Sequence, residues 1–327
     1  MTINDIAALA GVSKSTVSRY LSGGSVSKKS AEKIARVIEE TGFVLNASAS
    51  RLRSQKSGLI GVLMDGIESR AVIRELRGIN DALHELGYLP FLVLDNHDED
   101  HKLEGMQALV KQGVDGIIFG TARLTEEHAK FMLGMGVPAL VLGQRSELFP
   151  FAKVDDYAAG RLMAEHVISR NPSRAVYLGF PGYDQAGIER WRGFVDGCGT
   201  AGVGVEYLQA GYEHKAGYHM AEQVLATDAD FVVSASDTLS LGILRYLAEH
   251  GMSTPEDVRL AGFGDYSESS LPMVSLTSLD FDYQELGRDA ARKAVDLVEG
   301  REVPHESTDY PMKLHVRRSS GEVPAEE

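Results

Sequence analysis

The chain has 327 residues, of which 43% are hydrophobic and 24% charged, and it contains one cysteine, Cys198. This length exceeds what one hydrophobic core usually spans, so we expect two or three domains. The composition excludes a disordered or collagen-like protein, and a lone cysteine excludes an intramolecular disulfide and a thiolate zinc site. No stretch approaches the roughly 18 apolar residues of a membrane span. We therefore expect a cytoplasmic protein with no membrane association.

Charge is distributed unevenly along the chain. The formal net charge is −14, but residues 1–56 hold nine Lys/Arg against four Asp/Glu, whereas the remainder holds 24 against 43. Affinity for DNA comes largely from neutralising phosphates, so the first segment suits DNA and the acidic remainder repels it. A chance fluctuation over 56 residues is the alternative at this point. The asymmetry favours DNA binding through the basic segment alone.

The first residues predict two short helices joined by a tight turn. Thr2 and Asp5 form a capping-box pattern, which begins a helix near Ile3. Gly11 forms the turn, and Ser13 caps the second helix. The apolar residues that recur at helical spacing in the first helix are Ile6, Leu9 and Ala10.

The second predicted helix, residues 13–21, has one apolar and one polar side. Val17 and Leu21 are four residues apart and face inward. A third helix is predicted over residues 30–40, capped by Ser27 or Ser30, and it closes the small core. The outward side of the second helix carries hydrogen-bond donors and cations suited to DNA, namely Lys14, Ser15, Thr16, Ser18 and Arg19.

The sequence TINDIAALAGVSKSTVSRYLS, followed by GFVLNASASRL, resembles the headpiece of LacI/GalR-type transcriptional repressors. The resemblance implies a helix-turn-helix domain over residues 1–45. In it, Lys14 and Ser15 would read base edges in the major groove and Arg19 would contact a guanine. Tyr20 and Ser22 depart from the usual family residues. The implied phosphate contacts are Thr2, Ser13, Thr16 and Ser18.

Residues 46–57 are expected to link the headpiece to the rest of the chain. Residues 46–53 are compatible with a helix but too short to be stable alone. By the same resemblance this is a hinge helix that pairs across a dimer in the minor groove of DNA, with Asn46 among its DNA-binding residues. Leu52 matches the leucine that wedges between base pairs. A plain interdomain linker is the alternative.

The remainder, residues 58–327, alternates short apolar runs with helical patterns, which predicts parallel sheets. It resembles the two-lobed periplasmic sugar-binding fold, with a ligand cleft at the carboxyl ends of the strands. The expected amino lobe covers about 58–156 and 282–309, and the carboxyl lobe 157–281 and 310–327. The predicted strands are 59–64, 91–94, 116–119, 139–142, 175–179, 231–234 and 260–263.

The resemblance also implies effector-binding residues in the carboxyl lobe. Arg190, in RWRGF, matches an arginine that grips sugar hydroxyls, and its fork of donors suits vicinal hydroxyls or a carboxylate. Asp237 and Ser236, in SASDTLSLG, follow a strand, although Asp237 could equally cap the next helix. Asp265 lies in GFGDY, where family members often have an acid one position earlier. Trp191 is either a stacking platform for a sugar or a core residue.

Further cleft candidates in the amino lobe are polar residues that follow apolar strands, with solvation at the surface as the alternative for each. They are Asp65, Glu68, Ser69, Arg70 and Arg145.

The sequence gives little support to an enzyme or a metalloprotein. It contains no dinucleotide-binding glycine pattern, phosphate-binding loop or nucleophile elbow, so we expect neither catalysis nor a cofactor. The run HDEDH at residues 97–101 has metal-ligand residue types, but consecutive residues in a loop do not converge on one ion, so a solvated turn is expected.

These observations lead to one functional hypothesis. We expect a homodimeric repressor of a sugar-utilisation operon that binds a palindromic operator. A sugar or sugar phosphate in the cleft would shift the lobes and separate the hinge helices. The alternatives are a regulator of the same fold that answers to a nucleobase or a protein coregulator, and an enzyme or binding protein that carries a helix-turn-helix.

Overall fold

The computed structural model describes residues 1–21, 24–43, 56–67, 69–95, 99–180, 182 and 184–321. The chain divides into two units, Met1–Ser57 and Gly58–Glu327. The predicted hinge residues Asn46 and Leu52, and the cleft candidate Glu68, lie outside the described residues.

The described part of the first unit forms three helices: α1 (Ile3–Ala10), α2 (Lys14–Leu21) and α3 (Lys28–Thr41). The predicted capping box is present, because the Asp5 carboxylate accepts from Thr2 N at 2.7 Å and Thr2 Oγ1 accepts from Asp5 N at 3.4 Å. Gly11 ends α1 in the left-handed region, with φ 61°. Ser27, rather than Ser30, is the N-cap of α3.

A small apolar core holds the three helices together. Val17 of α2 packs against buried residues of α1 and α3. Leu9, predicted to join this core, is 61% exposed, because the apolar stripe of the two-turn helix α1 is narrow and already filled. The buried residues are Ile6, Ala7, Ala10, Val17, Ile34 and Val37.

The second unit contains two six-stranded sheets among the residues described. In the first, which defines the amino lobe, all strand pairs are parallel and the order is β11-β5-β4-β3-β1-β2. Its strands are β1 (Leu59–Met64), β2 (Leu89–Leu94), β3 (Gly116–Gly120), β4 (Ala139–Leu142), β5 (Phe151–Ala152) and β11 (Glu306–Ser307).

The second sheet defines the carboxyl lobe and has the order β12-β10-β9-β8-β6-β7. Its strand pairs are parallel, except that β12 runs antiparallel to β10. Its strands are β6 (Arg174–Gly179), β7 (Gly204–Gln209), β8 (Phe231–Ser234), β9 (Arg259–Phe263), β10 (Thr277–Phe281) and β12 (Met312–His315).

Helices cover the sheets, as parallel strands require. Among the described residues, no helix is both long enough and apolar enough to cross a membrane. The helices of this unit are α4 (Arg70–Glu85), α5 (Glu99–Lys111), α6 (Glu126–Gly134), α7 (Asp156–Ser169), α8 (Gln185–Thr200), α9 (His214–Leu225), α10 (Asp237–Glu249) and α11 (Tyr283–Val298), followed by a 3-10 turn, Arg318–Ser320.

The chain passes between the lobes at three points in the described part of this unit. It leaves the first sheet after β5, returns after β10 through α11, and crosses again between β11 and β12. The two lobes are therefore joined by three segments, and the space between them is bordered by residues close to two of these segments, Val154 and Asp156 at the first crossing and Tyr283 at the second.

Glycines let the helices beside this space approach closely. A Cβ at Gly193 of α8 would overlap the backbone carbonyl of Tyr157 in α7, and a Cβ at Gly160 of α7 would overlap that of Arg190. In the amino lobe, a Cβ at Gly287 of α11 would overlap the carbonyl of Glu75 in α4. These contacts fix the positions of Arg190 and Glu75 relative to neighbouring helices.

Candidate DNA-binding helix and effector cleft

Helix α2 presents a polar face to solvent. Lys14, Ser15 and Arg19 are exposed, whereas Val17 is buried and fixes the rotation of the helix. Ser13 Oγ hydrogen-bonds with Ser15 Oγ and with the Thr16 hydroxyl, each at 2.8 Å. The face combines long cations with short hydroxyls, the residue types that contact base edges and phosphates.

The remaining predicted DNA contacts differ in exposure. Thr2 and Ser13 are exposed, and Thr16 and Ser18 are half-buried. The hydroxyl of Thr2 donates to the Asp5 carboxylate at 3.0 Å, so it already has a partner at the start of α1.

A cleft lies between the two lobes of the second unit. It encloses about 1080 Å³ when the space open to solvent is included. Four of the predicted effector residues line it: Asp65 and Ser69 from the amino lobe, and Arg190 and Ser236 from the carboxyl lobe. Aromatic rings line it as well, contributed by Phe180, Tyr212, Phe263, Tyr266 and Tyr283.

Arg190 is the centre of a buried network. Its Nη2 donates to Asp156 Oδ1 at 2.6 Å, and its Nη1 donates to the carbonyl of Ala235 at 2.8 Å. The guanidinium carbon lies 4.8 Å from the centroid of the Phe263 ring, a cation–π distance. Burial alone would lower the pKa of Arg190, but Asp156 raises it, so the guanidinium stays charged. Its Nε has no hydrogen-bond partner among the described residues, so this N–H can donate to a ligand.

On the amino-lobe side, Asp65 is buried at the end of β1. Its Oδ2 accepts from Ala122 N at 2.5 Å, and Lys102 Nζ lies 3.7 Å from its Oδ1. Ser69 precedes the first residue of α4 but makes no side-chain cap bond there. The placement of both residues agrees with a role in ligand contact.

Three acidic residues that line the cleft were not predicted from the sequence: Asp156, which pairs with Arg190, and also Glu75 and Asp184. Glu75, in the middle of α4, is buried, and burial together with Asp156 and Asp65 raises its pKa to about 8. Asp184 is the N-cap of α8, where it accepts from Gly187 N at 2.8 Å, and burial raises its pKa. A signal for Glu75 exists in the sequence, since it interrupts the apolar stripe that runs from Val72 to Ile79.

Asp237 does not line the cleft, which corrects the expectation that it binds the effector. It is buried and accepts hydrogen bonds from Ser269 Oγ at 2.5 Å, Ser278 Oγ at 2.7 Å and Tyr266 N at 3.2 Å. Burial raises its pKa to about 6 against these hydrogen bonds. Ser236, rather than Asp237, caps α10. Asp237 therefore ties the loop after β9 to the lobe.

The structure also places four other predicted effector residues outside the cleft lining. The Asp265 carboxylate lies 2.5 Å from Arg317 Nη1. Arg70 forms an ion pair with Glu268. Arg145 is half exposed and pairs with Glu189 at 3.3 Å and Glu306 at 2.8 Å. Trp191 is a core residue, with its ring centroid 5.3 Å from that of Tyr177 and 4.9 Å from that of Tyr207.

One group of potential metal ligands occurs in the described part of the chain. Side-chain atoms of Asp265, Asp280 and His315 lie within 4.8 Å of one another. Both carboxylates already have cationic partners, because Arg317 pairs with Asp265 and Arg74 Nη1 lies 2.9 Å from Asp280 Oδ1. Positive charge at this distance opposes the binding of a metal cation.

Family comparisons assign both units. Residues 2–46 match the family described as bacterial regulatory proteins, lacI family, and residues 164–320 match the periplasmic binding protein-like domain. The chain joins a LacI-family DNA-binding domain to a periplasmic-binding-protein-like domain. The resemblance and the fold expected from the sequence are therefore confirmed.

Curated proteins that are similar to this chain include transcriptional regulators. The sucrose operon repressor of Staphylococcus xylosus is 28% identical over 302 residues, which cover 91% of this chain and 93% of that protein. The HTH-type transcriptional regulator TreR of Escherichia coli (strain K12) is 29% identical over 311 residues, covering 94% and 96%.

Solved structures support the same assignment of fold. The complex of the transcriptional regulator CelR with cellobiose matches with a TM-score of 0.74 at 25% identity, covering 98% of this chain and 100% of that one. The lac repressor dimer bound to operator and the anti-inducer ONPF matches with a TM-score of 0.89 at 23% identity, covering 98% and 99%.

Proposed function

We propose that this LacI-family protein is a sequence-specific transcriptional repressor of a sugar-utilisation operon, with its effector bound between the lobes. The observation that carries the proposal is the convergence of Asp65, Ser69, Arg190 and Ser236 on one cleft in a chain whose α2 exposes a DNA-reading face. Its relatives are transcriptional regulators, so regulation rather than catalysis is the proposed activity. The protein acts in the cytoplasm, where its DNA target is.

DNA binding uses the first unit. Residues 1–45 form the headpiece, in which Lys14, Ser15 and Arg19 read bases and Thr2, Ser13, Thr16 and Ser18 contact phosphates. Residues 46–57 are the hinge, with Asn46 and Leu52 as DNA contacts in the minor groove.

Effector binding uses residues 58–327. We assign 58–156 and 282–309 to the amino lobe and 157–281 and 310–327 to the carboxyl lobe. An effector that binds one arrangement of the lobes more tightly shifts the population toward it, by an amount set by the difference in its two affinities. The arrangement favoured by the effector separates the hinge helices and weakens DNA binding.

A homodimer matches this function, since two headpieces read the two halves of a palindromic operator. The exposed apolar residues on β2 support it. Leu89 is 58% exposed and Leu92 is 45% exposed, and β2 is the edge strand of the first sheet. An exposed apolar edge strand is a surface that proteins normally cover.

The test is a binding-site selection from genomic DNA with the full-length protein, followed by gel shifts in the presence of sucrose, trehalose, ribose and cellobiose. The expected result is enrichment of a palindromic site and its release by one sugar. Enrichment without response to any small sugar would leave DNA binding intact and contradict the assigned effector class. Failure to enrich any sequence would contradict the repressor assignment itself.

A further inference from the structure

Glu75 occupies an unusual position for a carboxyl group. It lies in the middle of α4, lines the cleft and is only 8% exposed. The close contact between its backbone and Gly287 of α11 holds it in place. No described residue forms a hydrogen bond or ion pair with its side chain, although buried polar groups in proteins are normally paired. Such a group facing a cleft is available to a ligand.

The charges around the cleft are mostly acidic. Among the described residues, four carboxyl groups line it, those of Asp65, Glu75, Asp156 and Asp184, and one cation lines it, Arg190. Both Nη atoms of that arginine already donate to Asp156 and to the carbonyl of Ala235.

Cations behind the lining are also held by carboxylates. Lys153 Nζ lies 3.0 Å from Asp156 and 2.8 Å from Glu189, and Lys102 Nζ lies 3.7 Å from Asp65. A phosphate or carboxylate on a ligand would enter beside the carboxyl groups that line the cleft, and it would compete with Asp65, Asp156 and Glu189 for these cations. In a partly desolvated cleft that repulsion is weakly screened.

We propose that this cleft is specific for an uncharged, hydroxyl-rich effector, that Glu75 is a hydrogen-bond partner of that effector, and that the surrounding carboxylates exclude phosphorylated and carboxylated sugars. The inference rests on the proposed function and narrows its effector class, which the sequence left open between a sugar and a sugar phosphate. A carboxylic acid both donates and accepts a hydrogen bond, so Glu75 matches a sugar hydroxyl, which does the same.

The protonation state of Glu75 agrees with this role. Its pKa is raised to about 8 by burial and by Asp156 and Asp65, so the neutral acid predominates at pH 7. Because the Glu75 carboxyl group is mostly neutral at pH 7, the ligand does not need a cationic group to balance its charge. Above pH 8 the acid ionises, loses its donor and adds a negative charge, so affinity for an uncharged sugar falls.

Other ionisable groups border the same space as Glu75. Tyr283 on α11 and Tyr266 after β9 have pKa values raised by burial, so both stay neutral between pH 7 and 9. Arg190 on α8 stays charged, because Asp156 raises its pKa against the effect of burial. Burial also raises the pKa of Asp184, so the comparison with Glu75→Gln is what assigns the pH dependence to Glu75 rather than to Asp184.

The first experiment needs no substitution. Isothermal titration of the full-length protein at pH 7 compares three sugars with their phosphate esters: sucrose with sucrose 6-phosphate, trehalose with trehalose 6-phosphate, and ribose with ribose 5-phosphate. We expect one uncharged sugar to bind at least about tenfold more tightly than its ester. Equal or tighter binding of an ester would overturn the inference while leaving a sugar-responsive repressor in place. If no sugar or ester binds a protein that still retards operator DNA, the proposed effector class itself is wrong.

The second experiment tests whether Glu75 binds the uncharged sugar. Between pH 7 and pH 9 the wild-type affinity for the bound sugar should fall about tenfold, following the loss of the protonated form. Glu75→Gln keeps a donor and an acceptor but does not titrate, so its affinity should stay within about threefold of wild type at pH 7 and remain flat to pH 9. Glu85→Gln, an exposed position on the same helix, should follow the wild-type profile. A wild-type pH profile that persists in Glu75→Gln would remove Glu75 from effector selection.

Discussion

The side chain of Arg190 is important in two places, one at the cleft and one inside the carboxyl lobe. Its guanidinium lines the cleft, yet it also bridges Asp156 in α7 and the end of β8 through the Ala235 carbonyl. A ligand that contacts Arg190 therefore contacts a group already connected to both sides of the carboxyl lobe. Rigid placement of this kind lowers the entropy lost when a ligand binds.

Arg190→Ala should reduce stability as well as effector binding. It leaves Asp156 buried with only Lys153 as a cationic partner, so we expect a loss of about 3 kcal/mol in the free energy of unfolding, the low end for a broken buried pair. Arg174→Ala breaks an exposed pair with Glu206 and should cost about 1 kcal/mol or less. Urea unfolding of both variants measures the difference. Equal losses would show that the Arg190 pair contributes no more than a surface pair.

Arg19 is the corresponding residue in the DNA-binding unit. Arg19→Ala should cost about 1–3 kcal/mol in operator binding and relax the preference at one base pair per half-site, because the proposed bidentate contact to guanine is lost. Arg36→Ala removes the same charge from the exposed side of α3 and should leave the sequence preference unchanged. Binding-site selection with both variants makes the comparison. An unaltered preference in Arg19→Ala would exclude this side chain from base reading.

His166 predicts a specific pH dependence of stability. It is buried, and its Nε2 lies 2.9 Å from Ser320 Oγ. Burial, with a smaller effect of Arg170, lowers its pKa from 6.5 to about 4. The unfolded chain therefore binds this proton more readily, and stability is lost as the pH falls below 6.5.

Between pH 7 and pH 5 the contribution of His166 should fall by about 2 kcal/mol, from the 1.4 kcal/mol that each pKa unit represents. His166→Gln should show a correspondingly smaller loss in urea unfolding over this range. The exposed His84→Gln on α4 should behave as wild type. Parallel losses in all three proteins would mean that His166 does not titrate in the folded state as stated.

At the scale of whole elements, pairs of helices rather than single contacts set the shape of the cleft. Helices α7 and α8 carry Asp156 and Arg190 and approach each other through Gly160 and Gly193. The distance between α7 and α8 determines whether Asp156 and Arg190 contact each other. Gly160 and Gly193 therefore affect the shape of the cleft, although neither lines it.

Gly193→Ala should lower the free energy of unfolding by about 1–3 kcal/mol, because its Cβ would overlap the Tyr157 carbonyl and push the helices apart. Gly199→Ala lies on the same helix with no neighbour within 4 Å of the added Cβ. That variant should be neutral or stabilised by up to about 1 kcal/mol, since alanine favours a helix. Thermal unfolding of both is the measurement. Similar stability of the two variants would contradict the close packing of α7 and α8.

Seven strands were predictable from local sequence, because buried parallel strands are continuous apolar runs. Strands β5, β7, β10, β11 and β12 were not predicted, because they are only two residues long or carry polar residues. The strands Ala139–Leu142 and Phe231–Ser234 coincide with the predicted ranges. The residues that line the cleft were less predictable. Asp237 follows a strand at the cleft edge, but hydroxyls from Ser269 and Ser278, which are distant in sequence, hold its side chain away from the cleft.

Glu75 was not predicted as a cleft residue, although it lines the cleft. The predicted cleft residues of the amino lobe follow strands. Glu75 instead lies inside α4, a helix whose other polar residues mostly face away from the core. Its role depends on how α4 sits against α11 and opposite α7, which no local pattern specifies. An acid at a core-facing helical position is nevertheless a signal that can be sought in other sequences.

For the whole molecule, the separation of charge between the units has a direct consequence. A shortened chain that begins at Ser57 retains 24 Lys/Arg and 43 Asp/Glu, and we expect it to show no affinity for operator DNA even at low salt. The full-length protein should bind, with an affinity that falls as salt increases. Gel shifts over a range of salt concentrations compare the two. Retardation of the operator by the shortened chain would overturn the assignment of DNA binding to the first unit.

The three crossings between the lobes also constrain how this gene can change. Neither lobe is encoded by one continuous stretch, since α11 of the amino lobe follows every strand of the second sheet except β12. A single recombination event inside residues 58–327 would therefore give at least one lobe mixed parentage and disturb its packing. Exchange at the boundary between Ser57 and Gly58 keeps each unit whole. A single exchange at this boundary can therefore combine the operator preference of one parent protein with the effector preference of another.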